Sequence, residues 1–388
     1  MKKLRTMRNY PLMLKTALLI LALLLSISVH SQTEEAASPV IHTDGSVTFS
    51  YKDPTAKRVK LFCDCDLRNN DYNTERENMQ SVRMKPDSNG VFTFTTKPLT
   101  PEVYTYQFKT HGRRFVDPDN ADSIRVLKTR RSVFVIPGST LSDLCIKDSL
   151  HGRIEFFEIW DTACGKTRRI LLYLPPGYDQ NEQPYPVLYL LHGINGYEKA
   201  WQDKGRAVQQ VDKLIRQEKI VPMVVVMPDV NPRKLIGQKE TIGMMRNLLH
   251  YPSWLHRDFE RVFPQMDSLL SIHYRISSDR KSRAVAGLSA GAMQACNLAN
   301  VQENRFQYVG LFSPVVHRKQ LPTNQGTSYW IGSGKVDIFH SQSCRFVKKT
   351  KNKRISCVFY NTSGGHTWRN WRLYLSEYLQ FIFKSTDK

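Results

Sequence analysis

The feature that most constrains the fold is a five-residue turn, GLSAG, at residues 287–291. The run before it, RAVAGL, is almost entirely apolar, as a buried strand is, and the stretch after it, AGAMQACNLAN, has the small residues of a closely packed helix. A serine at such a strand-to-helix turn needs glycine on both sides, because a larger side chain would meet neighbouring backbone. The pattern therefore predicts an α/β fold with Ser289 presented at the end of a strand.

The second part of the chain repeats this alternation of strand and helix. Helical stretches such as residues 206–218 separate short apolar runs. The runs are residues 169–174, 186–191, 222–228, 283–288, 308–313, 328–331 and 354–360. Near-continuous apolar strands between helices are typical of a parallel sheet covered on both faces. We therefore expect an α/β domain over residues 141–388.

The first part of the chain has a different period. Apolar and polar side chains alternate over short runs at residues 47–51, 59–63 and 104–108, and residues 87–90 (DSNG) form a turn. Short alternating strands separated by turns are typical of a β-sandwich. We expect a small all-β domain over residues 32–140.

The chain begins with a basic segment followed by a short apolar one. Thirteen uncharged, largely apolar residues, 16–28, follow the basic stretch, and Ser31 offers a small residue for cleavage. The run is shorter than the roughly 20 residues that a membrane-spanning helix needs. Residues 1–31 are therefore predicted to be a signal peptide, with an uncleaved anchor as the alternative, and the protein is expected to be secreted or periplasmic.

The net charge of +21 bears on the partners of this chain. Basic clusters occur at residues 113–114, 128–131 and 347–354. A basic surface attracts acidic polysaccharides, anionic cell surfaces or nucleic acids, or is simply solvated. No nucleic-acid-binding motif, metal-ligand cluster or phosphate-binding loop is recognisable, so we expect no nucleic-acid partner, no metal and no cofactor.

Seven cysteines leave at least one unpaired within the chain. Cys63 and Cys65 are separated by a single residue, which is too close for the usual metal-ligand spacing. Most of the cysteines are expected to be small buried residues, and a bond between Cys344 and Cys357 is one open alternative.

A nucleophilic serine needs a base, and the base needs an orienting acid. In folds with this turn the chain order is Ser, then Asp or Glu, then His. Between Ser289 and His366 the acids are Glu303 and Asp337. Glu303 falls at a helix end, whereas Asp337 follows a strand, where α/β sheets place functional groups. Asp337 is the candidate acid by elimination.

His366 is the candidate base among three histidines that follow the serine. His317 precedes Asp337 along the chain, and His340 lies on the helix after it. His366 follows a strand in the loop TSGGHTW, whose glycines allow the imidazole to reach the serine.

The oxyanion of an acyl-transfer reaction needs two donors. The backbone N–H of Ala290 is one candidate because it directly follows the nucleophile. The loop after the strand PVLYLLHG supplies the other, and the N–H of Ile194 is our candidate. The side chain of His192 in the same loop is expected to hold the loop backbone.

Two tryptophans are candidates for substrate contact. Trp201 and Trp368 lie in sequence near the oxyanion loop and the candidate base. An indole ring stacks on sugars or on phenolic acids, but it also packs in protein cores. Both interpretations remain open at this stage.

Several motifs resemble those of the esterase D-like family, which includes the feruloyl and acetyl-xylan esterases of carbohydrate esterase family 1. The similar segments are RRILLYLPPGY, PVLYLLHG, WQDKGR, PMVVVMP, RAVAGLSAG and GGHTW followed by Trp371. The N-terminal segments SPVIHTDGSVTFSYKDPTAKRVKLF, DSNGVFTFTT and YTYQF resemble the immunoglobulin-like early-set domain that often precedes these esterases. The resemblance covers about residues 38–385.

The resemblance implies an α/β-hydrolase fold with Ser289 as nucleophile, Asp337 as acid and His366 as base. The family's turn commonly reads GLSMGG, whereas this chain has GLSAGA, with Ala292 in the last position. The loop after Gly193 is also poorer in glycine than is usual. These departures affect the shape of an acyl pocket and remove no catalytic group.

The function expected from the residues and the resemblance is an exported serine esterase acting on feruloyl or acetyl esters of a polysaccharide such as xylan. An enterochelin-type siderophore esterase and a mycolyl-type acyltransferase are enzymatic alternatives. A glycan-binding protein built on an inactive hydrolase fold is the alternative from another class.

Overall fold

The computed structural model describes residues 38–65, 67, 79–126, 129–137, 151–162, 165–194, 196–231, 254–315 and 326–384. The predicted signal peptide, Cys145, Cys164, His317 and the expected domain boundary near residue 140 lie outside the described residues. No helix among the described residues is long and apolar enough to cross a bilayer.

The described part of the N-terminal region consists of antiparallel β-structure. Its strands are β1 (Val40–Ile41), β2 (Val47–Lys52), β3 (Lys60–Cys63), β4 (Gln80–Arg83), β5 (Lys85–Pro86), β6 (Val91–Thr95), β7 (Val103–Thr110), β8 (Arg113–Phe115), β9 (Ser123–Val126) and β10 (Thr129–Val135). One sheet has the order β1-β2-β6-β5; the other has the order β4-β3-β7-β10-β9, with β8 paired to β7.

The two N-terminal sheets share one apolar core. Phe49 from the first sheet meets Tyr106 of the second in an edge-to-face contact, with ring centroids 4.8 Å apart. Leu61 and Phe108 are fully buried in the same cluster. The alternation in the sequence therefore predicted the inward faces of a sandwich correctly.

Within its described residues, the C-terminal region contains one large sheet and six helices. Its strands are β11 (Arg153–Asp161), β12 (Lys166–Leu174), β13 (Val187–Leu191), β14 (Val224–Pro228), β15 (Arg283–Leu288), β16 (Tyr308–Phe312), β17 (Ser328–Gly334) and β18 (Cys357–Thr362). The helices are α1 (Ala200–Asp203), α2 (Ala207–Arg216), α3 (Trp254–His273), α4 (Ala290–Val301), α5 (His340–Asn352) and α6 (Trp368–Phe381). The part of the chain that the structure describes also includes the short 3₁₀ helices Tyr178–Gln180 and Arg280–Ser282.

The large sheet has the strand order β11-β12-β14-β13-β15-β16-β17-β18. Helices α3, α4 and α5 contribute to the apolar cluster on one face, and α2 and α6 contribute to the cluster on the other. Both faces are covered, as the apolar strands predicted.

One edge of the large sheet departs from the expected parallel pairing. Strands β13 to β18 pair in parallel, but β11 pairs antiparallel with β12, and β12 antiparallel with β14. A short turn is enough to join antiparallel neighbours, whereas a parallel pair needs a long crossover. The short β11–β12 connection therefore requires a hairpin.

Cysteine pairing also differs from the expectation. Cys63 and Cys65 form a disulfide, and Cys344 and Cys357 are free. Cys296 is buried, as most of the cysteines were expected to be.

An ion-pair cluster joins the N-terminal region to α6. Glu102, which is buried, accepts hydrogen bonds from the guanidinium of Arg372 at 2.7 and 3.1 Å and lies 3.1 Å from Arg369. Removing one partner of such a cluster leaves an uncompensated buried charge, which costs about 3–5 kcal/mol. Glu102 therefore links the N-terminal region to α6 through two arginine side chains.

Candidate active site

Ser289 lies at the turn between β15 and α4. Its backbone has φ 53° and ψ −115°, a conformation that non-glycine residues rarely adopt. A Cβ atom on Gly291 would lie 2.3 Å from the carbonyl oxygen of His192, and one on Gly287 would lie 2.5 Å from the backbone of Gly291. Both glycines are therefore required by close backbone approach, as the sequence predicted.

Three candidate side chains meet at the carboxyl edge of the sheet. His366 follows β18 and Asp337 follows β17, so the loops after two neighbouring strands carry them towards the turn. His366 Nε2 lies 3.0 Å from Ser289 Oγ, and His366 Nδ1 lies 3.1 Å and 3.2 Å from the two carboxylate oxygens of Asp337. This is the arrangement that a base-activated nucleophile needs.

The charges of the group determine where its protons lie. An ionised carboxylate only accepts hydrogen bonds, so Nδ1 of His366 carries a proton and donates a hydrogen bond to Asp337. In the neutral imidazole, Nε2 is then free to accept the hydroxyl proton of Ser289.

Asp337 stays ionised although its side chain has no exposed surface. Burial alone raises the pKa of Asp337, but the hydrogen bond and charge of His366, with donors from Ser313 and Phe339, outweigh burial and hold the pKa below its usual value. The Phe339 backbone N–H donates to Asp337 Oδ1 at 2.8 Å.

Sequence analysis overlooked Ser313. It follows β16 directly, is completely buried and has φ 51°. The indole N–H of Trp371 donates to Ser313 Oγ at 3.0 Å, and the Ser313 hydroxyl bonds to Asp337. Its position at the end of the strand beside the turn was the available signal, since functional groups gather at that edge.

Two aromatic rings hold the imidazole of His366 edge-on. The Trp371 ring centroid lies 4.9 Å from that of His366 at 90°, and the Phe339 centroid lies 5.1 Å away. These contacts restrict the imidazole to the orientation that faces Ser289.

The two candidate oxyanion donors belong to Ala290, directly after Ser289, and to Ile194, directly after the loop residue Gly193. Ala290 is the first residue of α4, so its N–H has no intrahelical acceptor. Gly193, which precedes Ile194, packs so closely on the turn that a Cβ atom there would lie 3.4 Å from Ser289 Cβ. Ile194 is half-buried next to this contact.

The side chain of His192 is held by backbone groups. Its Nδ1 lies 2.7 Å from the carbonyl oxygen of Gly193, and the N–H of Val230 donates to its Nε2 at 3.0 Å. Because Nε2 accepts from that N–H, Nδ1 donates to the carbonyl. His192 braces the loop, in agreement with the sequence interpretation.

The two candidate tryptophans differ in their exposure to solvent. Trp201 has no exposed surface, and its indole N–H donates to the carbonyl oxygen of Leu191 at 2.9 Å. It packs in the core and offers no ring face to a substrate, which corrects its choice as a substrate-binding residue. Trp368 is half-buried and contacts Trp201 and Trp371 edge-on.

Trp368 lines a cavity of about 160 Å³ between the N-terminal strands and α6. Tyr104, Thr105, Lys204 and Arg369 also contribute to its wall. The N-terminal region thus shares this cavity with Trp368, which lies two residues after the candidate base in the chain.

The eight-stranded sheet, its covering helices and the serine turn define an α/β-hydrolase fold preceded by an antiparallel β-region. The Esterase family model matches residues 162–343, which contain Ser289 and Asp337. The resemblance to esterases drawn from the motifs is confirmed.

Curated relatives carry xylanase names. The chain is 26% identical over 358 residues to the endo-1,4-beta-xylanase/feruloyl esterase of Xylanibacter ruminicola, an alignment that covers 89% of this chain and 46% of that protein. It is 25% identical over 207 residues to endo-1,4-beta-xylanase Y of Acetivibrio thermocellus, covering 53% of this chain and 17% of the relative. The chain spans less than half the length of either relative.

Two solved structures share the fold. The enterobactin esterase of Shigella flexneri has a TM-score of 0.58 at 18% identity and covers 87% of this chain and 92% of its own. A carbohydrate esterase family 1 ferulic acid esterase from Anaeromyces mucronatus has a TM-score of 0.51 at 17% identity, over 61% of this chain and 93% of its own.

Proposed function

We propose that this protein is an exported serine esterase that hydrolyses feruloyl or acetyl esters on a xylan-type polysaccharide. The observation that carries the proposal is the contact of Ser289 Oγ with His366 Nε2 at 3.0 Å, while Asp337 holds the opposite ring nitrogen. The alignment with a xylanase/feruloyl esterase over 89% of the chain supports the substrate class.

In the proposed reaction, Ser289 Oγ attacks the ester carbonyl carbon while His366 Nε2 takes the hydroxyl proton. The N–H groups of Ala290 and Ile194 stabilise the negative oxygen of the tetrahedral intermediate. The imidazolium then protonates the sugar oxygen as its bond to the acyl carbon breaks, so the sugar departs with a free hydroxyl and the acyl group stays on Ser289. Water, deprotonated by His366, attacks the acyl carbon; the bond to Ser289 Oγ then breaks, and the imidazolium returns the proton to Oγ, which releases the acid and restores the serine hydroxyl.

We include export in the proposal because residues 1–31 have the pattern of a signal peptide. We also propose two domains, a sandwich over residues 32–140 and a hydrolase domain over residues 141–388. The proposed partner is an acylated polysaccharide.

The test is hydrolysis of four esters: p-nitrophenyl acetate, methyl ferulate, a feruloylated arabinoxylan oligosaccharide and a ferric triscatecholate lactone. Wild type is compared with Ser289→Ala and with the control variant Ser333→Ala. Ser333 is a buried serine on β17 that contacts His340 rather than His366. We expect Ser289→Ala alone to lose activity, and the feruloylated oligosaccharide to be the preferred substrate.

Each other outcome rejects part of the proposal. Preference for the triscatecholate lactone would identify a siderophore esterase, and transfer of the acyl group to an added alcohol in preference to water would identify an acyltransferase. A folded wild type that binds glycan and hydrolyses none of the esters would support the binding-protein alternative.

A further inference from the structure

The outer face of the second N-terminal sheet carries a row of cations. Lys60 on β3 lies directly opposite Arg83 on β4 and Lys109 on β7, and Lys109 lies opposite Arg114 on β8. Four positive side chains therefore stand side by side across four strands, a row about 14 Å wide at the usual strand spacing. Directly opposed like charges destabilise a sheet.

Two of these strands show why the row faces outward. Leu61 on β3 and Phe108 on β7 are fully buried in the sandwich core. Because successive side chains alternate between faces, their neighbours Lys60 and Lys109 point away from the core. Folding itself does not require cations there, since any polar residue would suit an outward position.

The row borders an open groove of about 450 Å³. The side chains that matter here are Lys57, Arg58, Lys60, Phe62 and Lys109. Within the described residues, no carboxylate lies within ion-pair distance of the four cations among them. Asp53, the acid at the rim, is bound to His111 at 3.0 Å and to Thr55.

An aromatic ring lies beside the cations. The Arg114 guanidinium stands 3.7 Å above the ring of Phe62, so a planar cation group is already oriented at the groove. A guanidinium held in this way is suited to bidentate recognition of a carboxylate.

The groove shares a strand face with the cavity beside the candidate active site. Lys109 and Thr105 lie on the same face of β7, four residues or about 14 Å apart. Thr105 lines the cavity that Trp368 also lines. Gln107, the residue between them on this face, is buried, so the groove and the cavity are separate openings on one face of the sheet.

We propose that this groove binds an acidic polysaccharide, whose uronate carboxylates pair with Lys60, Lys109 and the cations beside them. The preference for a polyanion stands on the groove alone, whereas the choice of a polysaccharide rests on the proposed esterase function. A concave strip one row of side chains wide fits a single extended chain, while a bilayer presents a flat surface.

The experiment measures binding of the full-length protein to glucuronoxylan, to neutral arabinoxylan and to vesicles containing phosphatidylserine. The test variant is Lys60→Gln/Lys109→Gln. Its matched control is Lys348→Gln/Lys351→Gln, which removes the same charge from two exposed lysines on the basic helix α5. Hydrolysis of p-nitrophenyl acetate is measured on every protein, so that loss of the esterase is recognised separately from loss of the groove.

We expect the wild type to bind glucuronoxylan in a salt-sensitive way and more tightly than arabinoxylan. The test variant should bind about tenfold more weakly, as two surface ion pairs would allow, while hydrolysing p-nitrophenyl acetate normally. Relief of the Lys60–Lys109 repulsion should leave its melting temperature equal or slightly raised.

Three results would overturn the proposal. An equal loss in the control variant would mean that net charge, not the groove, attracts the polymer. Equal affinity for arabinoxylan would remove the role of carboxylates, and binding of vesicles without binding of glucuronoxylan would assign the groove to lipid.

Discussion

Two loops of the large sheet each carry a histidine beside an aspartate, and they use the pair differently. His192 follows β13, and its Nε2 lies 3.3 Å from Asp229. His366 follows β18, and its Nδ1 lies 3.1 Å from Asp337. Of the two imidazoles, His366 is the one whose other nitrogen meets Ser289 Oγ.

The remaining ring contacts explain the difference. Backbone groups of Gly193 and Val230 occupy both nitrogens of His192, so this imidazole has no capacity left to take a proton from a nucleophile. Its side chain is 2% exposed, compared with 21% for His366. An Asp–His pair alone therefore does not identify a base; the partner of the second nitrogen does.

The largest expected effect comes from replacing the two histidines separately. His366→Ala should lower kcat about 10⁶-fold because the serine loses its base. His192→Ala should lower kcat about tenfold, since it loosens the oxyanion loop without removing a reacting group. Steady-state hydrolysis of p-nitrophenyl acetate measures both, with circular dichroism as the control for folding. Equal losses of kcat in two folded variants would contradict the different roles assigned to His366 and His192.

Asp337→Asn should lower kcat about 10⁴-fold. An amide in place of the carboxylate favours the tautomer that carries its proton on Nε2, which then cannot accept from Ser289. Glu303→Gln, at the acid rejected by position in the sequence, is the matched control and should leave kcat unchanged. A large loss in Glu303→Gln would reassign the acid.

Ser313→Ala should lower kcat about tenfold by removing one hydrogen bond to Asp337 and the acceptor of the Trp371 indole. Because Ser313 acts through Asp337, the acid limb of the pH–rate profile should also shift, whereas Ser333→Ala should move neither quantity. A loss of melting temperature without a change in the pH profile would show that Ser313 only supports packing.

The smallest expected effect concerns stability in acid. Because the pKa of Asp337 is lower in the folded state, its ionised form contributes stability above about pH 4 that is lost as the pH falls further. The melting temperature of Asp337→Asn should therefore fall less steeply between about pH 5 and pH 3 than that of the wild type. Glu303→Gln should follow the wild type, and parallel curves for all three proteins would contradict this sign.

The sequence carried much of the information on the candidate site. The glycines around Ser289 and His366, the apolar runs before them and the chain order of serine, acid and base were sufficient to select three residues that lie within hydrogen-bonding distance. These features are local, because a strand-to-helix turn and a loop after a strand are determined by neighbouring residues. Asp337 needed elimination, since its loop contains no distinctive pattern.

Other features depend on contacts between distant segments. Burial of Trp201, the contact of Ser313 with Trp371 and the antiparallel edge of the large sheet arise from packing that no single segment encodes. The Cys63–Cys65 bond likewise depends on how the chain bends at the end of β3.

The basic groove shows most clearly which features follow from the sequence and which follow from the tertiary structure. The sequence by itself determined that Lys60 and Lys109 alternate with core residues and so face outward, because side chains in a strand alternate with a period of two. Only the tertiary structure decided that they stand opposite each other and beside Arg83 and Arg114, because strand register is set by the pairing of segments far apart in the chain.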